Sequence, residues 1–501
     1  MMRGFCLRRL GPAAPDPIRF DAVWLHAINA RPIKSGLGPL APAAGGLLLA
    51  ACAVGPDYKP PVTPVATLTP SAVATSAAAP DAWWRLYDDP VLDDLIAQAF
   101  AANTDLRVAT ANLRRARAVL DESRSARLPT TNIAGSAVEA RQSVATANGP
   151  VPFRSEFFRL GFDASYEIDL YGRVGRSIAA ARADADAEAA ARDTVAISVA
   201  AETARAYADA CSAARQVGVA ERSLKIQTDS FGLTEKRVAV GRDSPLDAAR
   251  ARSQLESTRA SLPGYAADRR SALFRLAVLT GKPPTEIDPR AAACTMPPQL
   301  KQPIPAGDGA ALLKRRPDVR RADRQLAAAT ARIGVATADL YPRIVIAGSV
   351  SGQGTSPSAV LQNNGFGFSI GPFISWSFPN ITVARARIKQ AKASNEAALA
   401  GFDGVVLAAL QETETSLSDY AATIERTTAL RRARDESADA ARIVRLRYAA
   451  GSENFLAVLD AERTLATADA NLAASDAVLT TAQIAVFKSL GGGWEAVPPL
   501  P

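Results

Sequence analysis

Two stretches of the chain alternate regularly between apolar residues and polar or small ones. In residues 158–170 the apolar positions are Phe158, Leu160, Phe162, Ala164, Tyr166, Ile168 and Leu170. In residues 366–378 they are Phe366, Phe368, Ile370, Ile374, Trp376 and Phe378. Such period-two runs predict strands with one apolar and one polar face. A shorter strand candidate precedes each run, at residues 131–141 and 343–351, so four strands are predicted.

The strand candidates are followed by very long stretches with helical character. Residues 174 to about 231 and 381 to about 450 contain no proline and little glycine. A helix of this kind would be roughly 87 Å long at about 1.5 Å per residue, and it needs neighbours along its length. Bends at residues 241–245 and 451–455 are each followed by a second helical stretch, which predicts two antiparallel helical hairpins. Helices are also predicted at residues 104–127, 309–315 and 317–340, and the hairpins are expected to pack through Leu246, Leu255, Leu456 and Leu465.

The chain is internally duplicated. The stretch Thr104–Ser136 recurs as Pro317–Ser349, and the bend at Gly241 recurs at Gly451. Repetition at the scale of a domain predicts two copies of one structural unit in one body. Four strands cannot close a barrel around a lumen, and an open sheet edge cannot face lipid because its backbone groups would be unpaired. If the strands lie in a membrane, several chains must combine them; the alternative is a soluble antiparallel sheet.

Composition argues against catalysis and against nucleic-acid binding. The net charge is +8, of which the first 51 residues supply six cations and two anions, leaving +4 for the other 450 residues. That charge is too weak and dispersed for binding to phosphate backbones. The single histidine, His26, lies in the same leading segment, which leaves no usual general base for the mature chain. We therefore predict no enzyme activity, no bound metal and no cofactor other than a covalent lipid.

The leading segment has the pattern of a secretory signal. Basic residues Arg31 and Lys34 precede an apolar run that ends at Leu49-Ala50-Ala51-Cys52. That order predicts cleavage and acylation of Cys52 in the manner of a bacterial lipoprotein; the alternative is a plain signal followed by an unmodified cysteine. The predicted parts are 1–51 leader, 52–82 lipid-anchored extended tether, 83–281 first repeat, 282–305 proline-rich crossover, 306–490 second repeat and 491–501 tail. Cys211 and Cys294 are expected to stay unpaired, roughly 30 Å apart along the helical axis.

Several passages resemble the outer-membrane efflux factors of the TolC/OprM type, in particular their NodT-like lipoprotein branch. They are Cys52–Tyr58, Trp83–Pro90, Asn103–Pro129, Arg315–Pro342 and Leu490–Trp494. The resemblance implies a mainly α protein with a membrane β-barrel: a homotrimer in the outer membrane, with four strands per chain in a 12-stranded barrel and a long periplasmic helical barrel. It also implies the role of exit duct in a tripartite efflux pump, with a periplasmic adaptor and an inner-membrane RND transporter as partners.

The resemblance also assigns roles to single residues near the bends. Leu456 and Asp460 match a constriction in which an apolar and an acidic ring form around the axis, and Arg463 would neutralise Asp460 from a neighbouring helix. The alternative is that Leu456 packs inside its own hairpin and Asp460 is solvated. The first repeat differs from this gate pattern, since Arg250 takes the place equivalent to Asp460. The adaptor-contacting tips would be Gly241, Arg242, Asp243, Ser244, Gly451, Ser452, Glu453 and Asn454.

Two other functions remain open from the sequence. A chain of this fold could be the outlet of a type I-like protein secretion system. The hairpins could also form a non-channel scaffold of an envelope lipoprotein, without strands in the membrane.

Overall fold

The computed structural model describes residues 53–62, 73–75, 77–142, 153–300, 302–379 and 381–497. Its helices are α1 Pro90–Ala102, α2 Thr104–Ser125, α3 Arg173–Ala239, α4 Pro245–Leu279, α5 Gly309–Arg315, α6 Pro317–Ala338, α7 Ile381–Ala449 and α8 Phe455–Ser489. The long strands are β1 Thr130–Gln142, β2 Phe153–Ile168, β3 Arg343–Gly354 and β4 Phe366–Ser375. Short 3-10 turns lie at Trp83–Tyr87 and Ala359–Leu361, a single helical turn at Pro289–Ala292, and a two-residue parallel pairing joins Ala74–Thr75 to Ile304–Pro305.

The element order confirms the duplication. Helix α2, strands β1 and β2 and helices α3 and α4 recur as α6, β3, β4, α7 and α8. The two longest helices contain 67 and 69 residues, which corresponds to about 100 Å each. Helix α3 extends eight residues beyond the predicted end at Phe231, to Ala239. Each of these helices reverses at its bend and pairs with the returning helix, as the sequence predicted.

All four long strands form one antiparallel sheet in the order β1-β2-β3-β4. One row across the sheet is Ile133, Phe162, Val350 and Phe368, and the adjacent row is Asn132, Asp163, Ser349 and Ser369. The side chains of neighbouring rows lie on opposite faces of the sheet, so one face is apolar and the other is polar. Strands β1 and β4 are the two edges, and no described residue of the chain pairs with their outer sides.

The main core lies about midway along α3. Here Trp83 stacks on Phe487 at the end of α8, with ring centroids 4.9 Å apart. Residues of α1 and of the central turns of α3 belong to this core, together with residues of α4, α5 and α7, and alanine is the commonest buried residue of α3. Small side chains allow close packing of the long helices. Among the described residues, no helix combines the length and the hydrophobicity that crossing a membrane requires.

The prediction that Cys211 and Cys294 stay unpaired was wrong. They form a disulfide with a Cα–Cα distance of 5.1 Å. The expected separation of the two cysteines assumed a chain that runs straight beyond the returning helix, and it does not. Helix α4 ends at Leu279, and Gly281 adopts a left-handed conformation with φ 72°. The following segment then packs back on α3, where the helical turn Pro289–Ala292 contacts it and brings Cys294 to the level of Cys211.

We expect the double change Cys211→Ser and Cys294→Ser to lower the free energy of unfolding by about 2–4 kcal/mol, because the disulfide closes a loop with a sequence separation of 83 residues. Thermal unfolding of the double variant and of the parent protein, with and without reductant, measures this. Reductant should shift only the parent. Equal stability of the two proteins under oxidising conditions would contradict a stabilising role. Such bonds persist in oxidising compartments such as the periplasm.

Candidate functional site

The two bends at the ends of the helical hairpins have the same backbone design. Gly241 and Gly451 have φ values of 72° and 77°, a region that strongly favours glycine. In each bend the amide of the next residue donates back to a carbonyl near the end of the long helix: Arg242 to Arg237 at 2.8 Å, and Ser452 to Arg447 at 2.9 Å. Ser244 and Asn454 then cap the returning helices. The predicted tip residues therefore all lie in these two turns.

The two tips are joined by a set of three side chains, Arg237, Asp243 and Tyr448, which we call the tip latch. Arg237 Nε is 3.0 Å from Asp243 Oδ2, and the Tyr448 hydroxyl also donates to that carboxylate. The guanidinium of Arg237 lies 4.2 Å from the centroid of the Tyr448 ring and donates to the Tyr448 carbonyl. The latch thus connects the end of α7 with the turn between α3 and α4.

Burial and charge make the latch a strong contact. The side chain of Asp243 is only 8% exposed, and charge-assisted hydrogen bonds in such surroundings are stronger than neutral ones. Burial and the hydrogen bond to Asp243 raise the pKa of Tyr448 to about 12, so its hydroxyl remains a donor. An apolar cluster of Ala251, Tyr448, Phe455, Val458 and Leu459 lies beside the latch. The sequence predicts Asp243 only as a tip residue and gives no signal for Arg237 or Tyr448, because nothing in it indicates that these residues meet.

Helix α8 presents the predicted gate residues on its exposed face. Leu456 is 53% exposed, and Asp460 and Arg463 are exposed as well. Leu456 therefore does not pack inside its own hairpin. Of the predicted hairpin contacts, Leu255 and Leu465 are buried, whereas Leu246, like Leu456, is exposed.

Within the described part of one chain, no ion pair joins Asp460 to Arg463. Arg463 instead lines an open groove of about 380 Å³ between α3, α4 and α8. At the equivalent place in the first copy, Arg250 lies 3.7 Å from Asp247 on its own helix. The gate assignment of Leu456, Asp460 and Arg463 remains a prediction, and it requires neighbouring chains.

The apolar face of the sheet is exposed in the single chain. Ile133, Phe368 and Ile370 are 73%, 76% and 77% exposed. Soluble proteins rarely leave such contiguous apolar surfaces uncovered. Towards the β1–β2 connection this face becomes charged, where Glu139 lies opposite Glu156 and Arg141 opposite Arg154. An apolar band with a charged border is the surface that a lipid bilayer and its headgroups would cover.

The segment after Cys52 is docked at the junction of the sheet and the helices. Cys52 itself lies outside the described residues. The amide of Val54 donates to the Tyr171 carbonyl at 3.2 Å, and Arg176 pairs with Asp57 at 2.8 Å. A side chain at Gly172 would come within 2.9 Å of Ala53. Position 53 therefore lies against the turn between β2 and α3, next to the predicted membrane-facing strands.

No described residues form a group of three or more histidine, cysteine or acidic side chains that could hold a metal ion. The described surfaces that stand out are an apolar sheet face, a polar sheet face and hairpin tips held by ion pairs.

The exposed two-faced sheet and the long helical hairpins agree with a channel-forming protein of the bacterial outer membrane, and the family match shows this class. The family described as "Outer membrane efflux protein" matches residues 95–282 and 310–492, one match for each repeat. The chain belongs to this family. It is a channel rather than an enzyme, and its place is the outer membrane of a Gram-negative bacterium, as the exit duct of a tripartite efflux pump. The family match favours this function over the non-channel scaffold.

Comparisons that cover most of the chain agree with this assignment. The chain is 30% identical to outer membrane protein OprJ of Pseudomonas aeruginosa, over 90% of this chain and 94% of that protein. It is 28% identical to nodulation protein T of Rhizobium leguminosarum bv. trifolii, over 85% of this chain and 91% of that protein. The structure of the outer-membrane channel OprN superposes with a TM-score of 0.83 and 36% identity, covering 89% of this chain and all of OprN.

Proposed function

We propose that three copies of this chain join edge to edge into a 12-stranded barrel that conducts small molecules through the outer membrane. The observation that carries the proposal is the sheet itself, with an exposed apolar face, a polar opposite face and two edges that pair with no other described strand. Strands β1 and β4 run antiparallel to each other, because each of the three steps across the sheet is antiparallel. Strand β4 of one copy can therefore pair with β1 of the next in the same antiparallel pattern.

In such a trimer the apolar face meets lipid and the polar face lines the lumen. Closure removes the free strand edges, which cannot be left unpaired in a bilayer. The helices continue the tube into the periplasm, and the hairpin tips contact a periplasmic adaptor that links the duct to an inner-membrane RND transporter. The duct needs no nucleic acid and no soluble cofactor.

We further propose that the tips form the gate of the duct. Leu456 and Asp460 lie one helical turn apart on the exposed face of α8, so three copies would stack an apolar ring near an acidic one. Arg463 would neutralise the acidic ring of a neighbouring copy. The tip latch would hold each pair of hairpins in the closed arrangement.

Planar-bilayer recording of the purified protein tests the duct. Stepwise ionic currents are expected, since the polar sheet face would line a water-filled lumen. A membrane-associated protein that never conducts, at any voltage or after adaptor is added, would contradict the proposal. The adaptor that co-purifies distinguishes a small-molecule pump from the outlet of a type I-like protein secretion system.

We propose Cys52 as the site of lipid attachment, and expect Cys52→Ser to abolish acylation while trimers still assemble. The docking of residues 53–57 beside the strand–helix junction supports this proposal, because a lipid on Cys52 would then lie close to the sheet, which would be a second anchor. Mass spectrometry of the mature N-terminus and labelling with a radioactive fatty acid measure acylation. Ala53→Ser is the matched control and should remain acylated. A monomeric Cys52→Ser protein would contradict the independence of assembly from the lipid.

A further inference from the structure

Glu462 is a buried carboxyl group on the same helix as the predicted gate residues. Its side chain is 4% exposed, whereas Asp460 and Arg463 on either side of it are exposed. Within the described part of the chain, its Oε1 atom has no hydrogen-bond partner. A buried carboxylate normally requires full pairing, because burial without partners is costly for a charge. The gate assignment leaves this group unexplained.

Glu462 faces helices α3 and α7 at the level of the tip. From α3 it receives a hydrogen bond from the Ser230 hydroxyl, and from α7 it experiences the charge of Arg445. Arg445 directs its Nε to the Ala441 carbonyl at 3.1 Å, and the described residues contain no ion pair between Arg445 and Glu462. The guanidinium therefore acts on the carboxyl group only at a distance.

The other charged residues near Glu462 either pair with different partners or lie on the exposed side of their helix. On α3, Asp229 pairs with Lys225 of the same helix. Glu235 of α3 pairs with Arg252 of α4. On α8 itself, Asp460 and Arg463 lie on the exposed side. None of the described ion pairs includes Glu462, so its ionised form is poorly compensated while α8 remains packed on α3.

Burial determines the protonation of this group. It raises the pKa of Glu462 to about 7, against the opposing effects of Arg445 and of the Ser230 hydrogen bond. The packed arrangement thus keeps its proton at a pH where a solvated glutamate has lost it. The neutral carboxyl group of Glu462 stabilises the packed state. This stabilisation is complete below about pH 4.5, declines as the pH rises, and is lost above about pH 7.

We propose that Glu462 is a proton-controlled switch of the gate, in which the neutral carboxyl keeps α8 packed on α3 and its ionisation favours opening. The ligand of this site is a proton, and its effect reaches the constriction through α8, because Asp460 lies only two residues away. The inference rests on the proposed function, in which Leu456 and Asp460 narrow the duct.

Conductance of the purified full-length protein in planar bilayers, recorded between about pH 5 and about pH 8, tests the switch. The open fraction of the parent protein is expected to rise by about tenfold or more over this range. Glu462→Gln, which keeps the shape of the side chain but cannot ionise, should stay mostly closed throughout. Glu256→Gln is the matched control; its carboxyl group is exposed and pairs with Arg259, so the pH dependence of the parent should remain.

The outcomes separate the two proposals. A parent protein that never conducts would contradict the duct itself. Currents that do not change with pH, or that change equally in Glu462→Gln, would overturn the switch and leave the duct intact. Hydrogen exchange of residues 455–465 in the parent protein provides a second test if the variant fails to insert. After correction for intrinsic exchange, protection should fall between about pH 5 and about pH 8, and unchanged protection would overturn the switch.

Discussion

Phe368→Lys is expected to remove the protein from the outer-membrane fraction, whereas Ser369→Lys should leave it there. The two residues are neighbours on β4, but Phe368 lies in an apolar row of the sheet and Ser369 in a polar row beside Asn132, Asp163 and Ser349. A lysine on the lipid face near the middle of a bilayer costs about 2–4 kcal/mol per chain, and a trimer carries three of them. A lysine on the lumen face remains in water.

Fractionation and heat-modifiable gel migration measure the difference between these variants. The pair is closely matched, because position, introduced charge and strand are shared and only the face differs. Equal loss of both variants would indicate that β4 tolerates no change at this level. Equal retention of both would contradict a lipid-facing apolar surface.

Asp243→Ala is expected to raise the open fraction of the channel by about tenfold or more. The change removes the acceptor shared by Arg237 and Tyr448, and a hydrogen bond to a charged group contributes about 1.5–3 kcal/mol. It also leaves the partly buried Arg237 guanidinium without its carboxylate. Because the latch connects α7 to the turn between α3 and α4, its loss frees the second hairpin to move.

Single-channel recording of Asp243→Ala beside Asp229→Ala tests the latch. Asp229 is exposed and, among the described residues, pairs with Lys225 of its own helix, so its removal should leave the closed state unaffected. Tyr448→Phe should have a smaller effect than Asp243→Ala, since the ion pair of Arg237 with Asp243 remains. An open fraction unchanged in Asp243→Ala would show that the latch does not hold the gate.

Local patterns predicted the elements of this fold well. The alternation in residues 158–170 and 366–378 identified β2 and β4, with bounds that shifted by a few residues. Absence of proline identified α3 and α7, and the predicted short helix Gly309–Arg315 has those bounds in the structure. These features depend on residues that are close in sequence. The spacing of apolar residues and the positions of proline and glycine therefore suffice to find them.

Contacts between distant residues were not predictable in the same way. The disulfide of Cys211 with Cys294 depends on where α4 ends and how the crossover folds back, and a straight extrapolation placed the two residues far apart. The tip latch joins Arg237 to Tyr448 across 211 positions. Glu462 differs from its exposed neighbours only in the direction of its side chain on α8. Each of these depends on how helices are arranged around one another, which no single helix encodes.

The resemblance supplied what the residues alone left open, namely the number of chains. Leu456 shows most clearly what the residues alone leave open. Its pattern alone favours packing within the hairpin, but the structure exposes it, which agrees with a role that requires other copies. The same holds for strands β1 and β4, whose outer edges are unpaired within the described part of one chain.

Native mass spectrometry of the detergent-purified protein counts the chains that close edge to edge into one channel. We expect a single assembly of three chains, stable in detergent and resistant to dissociation until heated. A monomer, a dimer or an assembly with any other number of chains would contradict it.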